Sequence, residues 1–393
     1  MSHLFFLYNL AVLAVLGAVL LSLVVNLLVF KSLQPARPAS SGGLVSILVP
    51  ARNEESRIRR CVESLQAQDY AHCELLVLDD NSEDRTAEIL REIGFIEGDA
   101  KRRLIHGQPL PLGWTGKNWA CHQLAAAAKG DYLLFTDADT VHSPPTVSAA
   151  IAFAKKNRAD LLSAWPRLVM LTWSERLVIP MIHLLAAALY PHALILFFQN
   201  LPPLAKRVPP GLLRSLGAAN GQFLFFKRSA YEKIGGHQAV RGHLVEDVAL
   251  GRELAQRMAD GMRLVNCDAS RFVECRMYER FRDVWEGFTK NLRPAFEDSL
   301  ALFLAVGAVQ FACFFLPCVL VFFLCAQWRL VAGQVALIYL IRLILTLRFR
   351  TSWFGFVFHP VGHALAMLIA LNSWRRVASG GVTWKGRNYK AAG

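Results

Sequence analysis

What the sequence lacks narrows it first. None of the eight cysteines pairs as C-x-x-C, so neither a thiol redox motif nor a zinc ribbon is written here. Cys61, Cys73, Cys121, Cys267 and Cys275 fall in polar stretches, and Cys313, Cys318 and Cys325 in apolar runs. That is the distribution of reduced, buried thiols in a cytosol-facing protein rather than of a disulfide framework. No zinc-finger or helix-turn-helix spacing is present and the basic residues are scattered. Nucleic acid is therefore not an expected partner despite a formal charge of +13. Internal repeats and low-complexity blocks are also missing.

Apolar residues, by contrast, are abundant. They make up 54% of the 393 residues, and the mean hydropathy of +0.32 is high for a purely soluble enzyme. A basic, apolar-rich chain points to membrane segments flanked by Lys and Arg, or to an anionic partner. Leu4 to Phe30 is uncharged and long enough to cross a bilayer. It has no basic n-region or small-residue cleavage site, so it reads as an anchor rather than a signal peptide. Lys31 and Arg37 follow it, which predicts an N-terminus outside and the next segment in the cytosol.

Residues 31–43, rich in Pro, Ser and Gly from Gln34 onward, read as a linker, and a body with strand–helix–strand rhythm starts at Leu44. Leu44 to Val49 predicts a strand that stops at Pro50-Ala51-Arg52-Asn53-Glu54-Glu55. Ile58, Cys61, Val62 and Leu65 then share one helical face. Leu75 to Leu78 predicts a second strand, ending at Asp79-Asp80-Asn81-Ser82, with Asp84 as the expected cap of the next helix. A third runs from Tyr132 to Thr136 and ends at Asp137-Ala138-Asp139. Residues i and i+2 project to the same side, so Asp137 and Asp139 are spaced to grip one cation, although Asp-x-Asp also begins ordinary solvated turns. Open α/β sheets bind ligands beyond the carboxyl ends of their strands. Three polar clusters at three such ends therefore predict a site.

Gly113-Trp114-Thr115-Gly116-Lys117 opens a helix through Ala128. A glycine turn at a helix start, with a lysine beside it, suits phosphate or is simply a helix-initiating turn; it is too short for a Walker loop. Ala218 to Phe226, containing Gly221 and Gln222, leads into another strand. Arg241 precedes Glu246-Asp247 at a predicted helix start, where acidic residues also serve the helix dipole. Leu177 to Phe198 is long enough for a spanning helix, but breaks at Pro180, His183, Pro191 and His192 favour a segment lying in or dipping into the membrane face. The two histidines read as interfacial or packed. An aromatic stripe over 278–292 predicts a helix that is either core or interfacial. Leu300 to Cys325 and Leu330 to Leu347 are spanning candidates, and Trp353 to Leu371 a weaker one. The region 299–372 thus holds two or three helices. Two crossings would return the basic tail 373–393 to the catalytic side in line with the positive-inside rule.

The ordered set Ile47 to Glu55, Val77 to Ser82, Gly116-Lys117, Asp137-Ala138-Asp139, Gly221-Gln222-Phe223 and Glu246-Asp247 resembles the family 2 glycosyltransferases. The resemblance covers about residues 44–290. It implies an α/β fold of the GT-A type: a Rossmann-like, mostly parallel sheet over residues 44–292, with transmembrane helices before and after. The flanking helices and the closing Thr383 to Tyr389 look like the membrane-bound branch acting on hopanoids, carotenoids or ceramides, in a bacterial inner membrane with the catalytic domain cytosolic.

By this resemblance, Pro50, Ala51, Arg52, Asn53, Glu54, Asp79 and Asp80 would hold a UDP- or GDP-hexose, with Lys117 near its diphosphate. Asp137 and Asp139 would place Mg2+ or Mn2+ there, and Asp247, with Glu246 beside it, would be the general base. Gly221, Gln222, Arg241 and Arg387 would lie near the acceptor or diphosphate. A membrane lipid in the surrounding bilayer would be the acceptor. One base with no second carboxylate nucleophile implies a single inverting displacement. The Gln-x-x-Arg-Trp motif of processive synthases is missing, since Arg280 to Trp285 reads R-F-R-D-V-W, which favours transfer of one sugar. Alternatives from the same residues are transfer to a polyprenyl phosphate, a polysaccharide synthase, or a non-catalytic membrane scaffold. A nucleotidyltransferase is disfavoured because no Gly-rich loop follows the first strand.

Overall fold

The first strand, β1 (Val45–Ala51), is buried at six of its seven positions, the pattern of a strand covered on both faces. The computed structural model describes residues 2–37, 42–99, 101–296, 299–323, 327–378, 382–384 and 387–389. Cys325, Lys385, Gly386, Lys390 and part of the expected linker lie outside them. Two units emerge, one of residues 30–169, 194–277 and 383–393, the other of residues 1–29, 170–193 and 278–382.

The first unit is built on β1, β2 (Cys73–Asp79), β3 (Arg102–His106), β4 (Tyr132–Thr136), β5 (Thr140–His142), β6 (Leu161–Trp165), β7 (Arg167–Leu168), β8 (Phe223–Lys227), β9 (Leu264–Asp268) and β10 (Val273–Cys275). Seven of these form one sheet in the order β3-β2-β1-β4-β8-β6-β9. β1 runs parallel to both β2 and β4, with Ala51 opposite Asp79 and Leu48 opposite Phe135. β8 is antiparallel to both its neighbours, so the sheet is mostly parallel, as expected. Alternation divides the side chains between two apolar layers. Ile47, Val49, Leu75, Val77 and Leu134 go to one; Leu48, Leu76, Leu78, Leu133 and Phe135 go to the other. The chain builds outward from β1 to β2 and β3, then returns to the opposite side of β1 for β4. That reversal opens a crevice at the carboxyl ends of β1 and β4.

Two local expectations are corrected. The helix Thr86–Glu92 takes Arg85, not Asp84, as its N-cap residue. Asp84 works one position earlier: its Oδ1 accepts from the Thr86 N–H (3.0 Å) and its Oδ2 from the Glu55 N–H (3.0 Å). β3 and the small sheet β5-β10-β7 were not foreseen. Seven cysteines among the described residues are free thiols, six of them buried.

The second unit holds most of the long apolar helices. Among the described residues, four helical runs are long and apolar enough to cross a membrane: His3–Val29, Trp173–Asn200, Leu300–Leu320 and Trp328–Phe349. The weaker candidate, Trp353 to Leu371, is split between the helices Trp353–Val357 and His359–Ala378, and neither is among them. Polar side chains bind the helices where their backbones break. The run after Trp173 turns into a π-helix over Leu184–Leu189 and becomes extended at Tyr190, freeing carbonyls. Asn26 Nδ2 donates to Ala187 O (3.0 Å) and Tyr190 O (2.7 Å). Arg342, fully buried, donates to Pro180 O and Gly355 O at 3.2 Å each. Gln334 donates to Asn9 Oδ1 at 2.9 Å. His183 and His192 are buried, so of the two readings left open for them packing is the one observed. The helix Phe281–Ala295 packs against His359–Ala378, with Val284 and Thr289 buried, while Trp173 stacks on Phe281.

The helix Glu246–Ala255 is pressed against the loop leading to β8. A Cβ on Gly251 would lie 2.7 Å from the carbonyl carbon of Ala218, and one on Gly217 would lie 2.4 Å from Gly251 O. Backbone cannot yield as a side chain can. Gly251→Ala is therefore expected to destabilise the protein by roughly 1–3 kcal/mol, read as a lowered midpoint of thermal unfolding in detergent.

Candidate active site

Each of the three polar clusters is fastened by the turn that follows its strand. After β1, Arg52 donates through Nη1 to Asp80 O (2.6 Å) and Asn81 O (2.9 Å). Asn53, at φ 52°, gives its N–H to Ser82 Oγ (3.0 Å) and takes the Glu83 N–H on Oδ1 (2.9 Å). These two residues therefore stitch the β1 and β2 turns into one wall of the crevice. Asp79 and Asp80 are buried in it, with Asp79 Oδ1 accepting from Ser82 N–H (3.3 Å).

The turn after β4 is braced from beneath. Thr140 Oγ1 donates to Asp137 O (2.7 Å), Thr136 Oγ1 to Gln222 O (2.8 Å), and His142 Nε2 lies 2.9–3.1 Å from both hydroxyls. Burial pushes Asp139 up to about 7, with Asp137 and Glu54 adding to the rise and Arg57 opposing it. Cys275, from β10, places its Sγ 3.5 Å from Asp139 Oδ1, and Gln222 Nε2 reaches that same sulfur at 2.9 Å.

Across the crevice, Lys117 joins the clusters. It stands in the first turn of the helix Gly116–Ala127, whose start is fixed by Thr115 Oγ1 accepting from Asn118 N–H and by the Thr115 N–H donating to Arg241 O. Asn118, fully buried, donates to the carbonyls of Val240, Arg241 and His243, so this helix and the loop before Glu246 are one construction. The Arg241 side chain itself is exposed. Lys117 Nζ lies 2.6 Å from Asp137 Oδ1 and 2.7 Å from Glu246 Oε1. Burial opposes the ammonium, but Asp137 and Glu246 outweigh it and hold the lysine well above its usual range.

Asp247 follows directly. Its Oδ2 accepts the Gly221 N–H at 2.6 Å and its Oδ1 the Val248 N–H at 2.8 Å. Burial, then Glu246, lift its carboxyl to about 6, while Lys117 and the two N–H groups pull it down. One lone pair on each oxygen is still available to a proton donor in the crevice.

Several residues here carry no sequence signal of their own. Cys121 and His237 line the crevice floor with Pro50, Thr136 and Asp137. The Tyr231 hydroxyl accepts the backbone N–H of His237 (3.1 Å) and lies 2.8 Å from its ring Nδ1. Burial lowers His237 to about 3, so the ring is neutral.

Among the described residues, no group of three or more His, Cys, Asp and Glu side chains is gathered to hold a metal alone. Asp137 and Asp139 nonetheless offer hard oxygen donors one residue apart, and the Asp139 carboxyl, raised first by burial and then by Asp137, is a group that a nearby cation would favour in its ionised form. Such a pair fits a divalent ion that takes its other ligands from phosphate and water.

The Glycosyl transferase family 2 model matches residues 46–235. The chain is 30% identical over 251 residues to 4,4'-diaponeurosporenoate glycosyltransferase of Staphylococcus haemolyticus, covering 63% of this chain and 60% of that relative's length. The Staphylococcus aureus (strain MRSA252) protein of the same name is 25% identical, covering 88% of each. Among solved structures, mannosyltransferase PcManGT from Pyrobaculum calidifontis, in complex with GDP-Man and Mn2+, superposes with a TM-score of 0.54 at 17% identity. That match covers 93% of this chain and 98% of that one. The crevice from Pro50 to Gln222 therefore lies within the stretch that the Glycosyl transferase family 2 model matches, on a sheet of the GT-A fold.

Proposed function

We propose that the protein transfers one sugar from a nucleotide sugar to a lipid-like acceptor, with inversion at the anomeric carbon. The observation carrying this reading is the convergence of Asp137, Lys117, Glu246 and Asp247 where β4 ends. It is supported by relatives whose named substrate is a carotenoid and by a structural neighbour solved with GDP-Man and Mn2+. The four apolar helical runs support a membrane setting; a bacterial inner membrane with the catalytic unit on the cytosolic side is part of the proposal.

In this reading the wall built by Pro50 to Glu54, Asp79 and Asp80 takes the base and ribose. Asp137 and Asp139 would hold Mg2+ or Mn2+, which when bound neutralises charge on the departing diphosphate. Lys117 spends two of its three ammonium hydrogens on Asp137 and Glu246, and the third is left for a phosphate oxygen. Glu246 keeps Lys117 aimed. Asp247, with both oxygens pinned by backbone N–H groups, accepts the proton of the acceptor hydroxyl as the new bond forms.

A second reading concerns the acceptor. The name 4,4'-diaponeurosporenoate denotes a carboxylate, and an anionic acceptor, like a polyprenyl phosphate, brings its own nucleophile. Asp247 would then orient rather than deprotonate.

Assays with purified protein, Mn2+ and UDP-Glc or GDP-Man test these assignments. Asp139→Ala, or chelation of the metal, is expected to remove binding of the sugar nucleotide. Asp247→Asn should bind it normally yet lose about 10²–10⁴-fold in transfer to a hydroxyl acceptor. Normal transfer to a hydroxyl by this variant would refute the base; normal transfer to carboxylate acceptors alone would favour the second reading. Lipid mass spectrometry of cells with and without the gene names the acceptor.

A base must be ionised to act, so transfer at saturating donor should rise with pH through about 6 and level off above it. Because Lys117 lowers the Asp247 carboxyl, Lys117→Met should move that midpoint upward. A midpoint unmoved by this substitution would uncouple the two groups.

A further inference from the structure

The C-terminal tail reaches the crevice wall. Arg387 opens the strand Arg387–Tyr389, and its Nη2 donates to Asp80 Oδ1 at 2.9 Å while Nη1 reaches Asp80 Oδ2. The pairing is bidentate, and the carboxylate it meets is only 4% exposed. A basic tail that simply met lipid headgroups would have no use for a buried aspartate at the end of β2.

Gly116 makes room for this contact. A Cβ there would stand 2.0 Å from Arg387 Nη1 and 3.2 Å from Asp80 Oδ2. The φ of Gly116 is not positive, so the backbone alone does not ask for glycine. What asks for it is the guanidinium lying against the first turn of the helix that carries Lys117. Arg387, Asp80 and Gly116 thus come together from three distant parts of the chain, at the wall assigned above to the nucleotide.

We propose that Arg387 is a donor-binding residue delivered by the tail, seated on Asp80 and the bare Cα of Gly116. The nucleoside diphosphate takes over hydrogen bonds that Asp80 holds in the donor-free protein. Resting on the glycosyltransferase reading, this makes the donor site incomplete without Arg387, and it couples the position of that residue to donor occupancy. Guanidinium geometry suits two phosphate oxygens as well as it suits one carboxylate, so the exchange needs no change of partner type.

The test compares nucleoside diphosphate with monophosphate. UDP, UMP, GDP and GMP are titrated, each with Mn2+, into wild type, Arg387→Ala, Arg387→Lys and Gly116→Ala in detergent. Arg387→Ala and Gly116→Ala are expected to weaken the preferred diphosphate about tenfold or more while leaving its monophosphate nearly unchanged. Arg387→Lys, which keeps the charge without the fork, should fall between. In wild type, the preferred diphosphate should slow trypsin cleavage after Arg387. A residue that merely props the wall would weaken both nucleotides equally, and that result overturns the proposal, as does unchanged diphosphate affinity in Arg387→Ala. Should Gly116→Ala fail to fold, the Arg387 variants decide alone. Wild type that binds neither UDP nor GDP would instead sink the donor reading itself.

Discussion

The candidate site depends on one ammonium group. Lys117 stands between Asp137, at the end of β4, and Glu246, at the start of the helix Glu246–Ala255, and without it these carboxylates face one another across the crevice. Each anion is drawn in by the same cation, so Asp137 and Glu246 are held at a fixed spacing. Burial would otherwise neutralise such a cluster, as the raised carboxyls of Asp139 and Asp247 show. Removing the ammonium would take this cation from the buried Glu246 carboxylate, and breaking a pair that holds a buried charge is costly. The geometry is therefore cooperative: Lys117 is useful only because both acids are there, and both acids are tolerable only because Lys117 is.

That arrangement was partly legible in the sequence, and the reason is the sheet. β1, β2 and β4 are continuous apolar runs that stop abruptly at Arg52, Asp79 and Asp137. Parallel neighbours bring such stops to one edge whatever the intervening loops do. Glu246 and Asp247 were legible as a helix start, and Lys117 as the residue after a glycine turn. Their meeting was not, because it rests on Asn118 binding the carbonyls of Val240, Arg241 and His243, a contact between segments more than a hundred residues apart.

The missed elements share a cause. β3 reads R-R-L-I-H and buries only Leu104, so as an edge strand it shows neither an apolar run nor a clean alternation. β5, β7 and β10 are two or three residues long, below the length at which periodicity has meaning. Cys275 illustrates the same limit at the site. It sits in one of these short strands, yet its sulfur touches both Asp139 and Gln222. Arg52 and Asn53 were legible as crevice residues, but the backbone groups they bind in the β2 turn carry no side-chain signature.

Glycine explains the remaining precision. Gly221 is not in the left-handed region, so its identity is a matter of space: a Cβ would stand 3.0 Å from Asp247 Oδ2. Its N–H therefore approaches the carboxylate closely enough for a 2.6 Å hydrogen bond, which favours the ionised form against burial. Gly116 does the equivalent beside Asp80, where the missing Cβ admits a guanidinium instead of an amide. In both places a small backbone lets a charge come nearer than any side chain would allow. The two glycines thus bracket the Lys117 cluster, one beside Asp247, the proposed base, the other beside the wall proposed to take the nucleotide. Enlarging either would leave the sheet and its layers intact, since neither glycine belongs to the apolar layers, and would displace only the charge it serves.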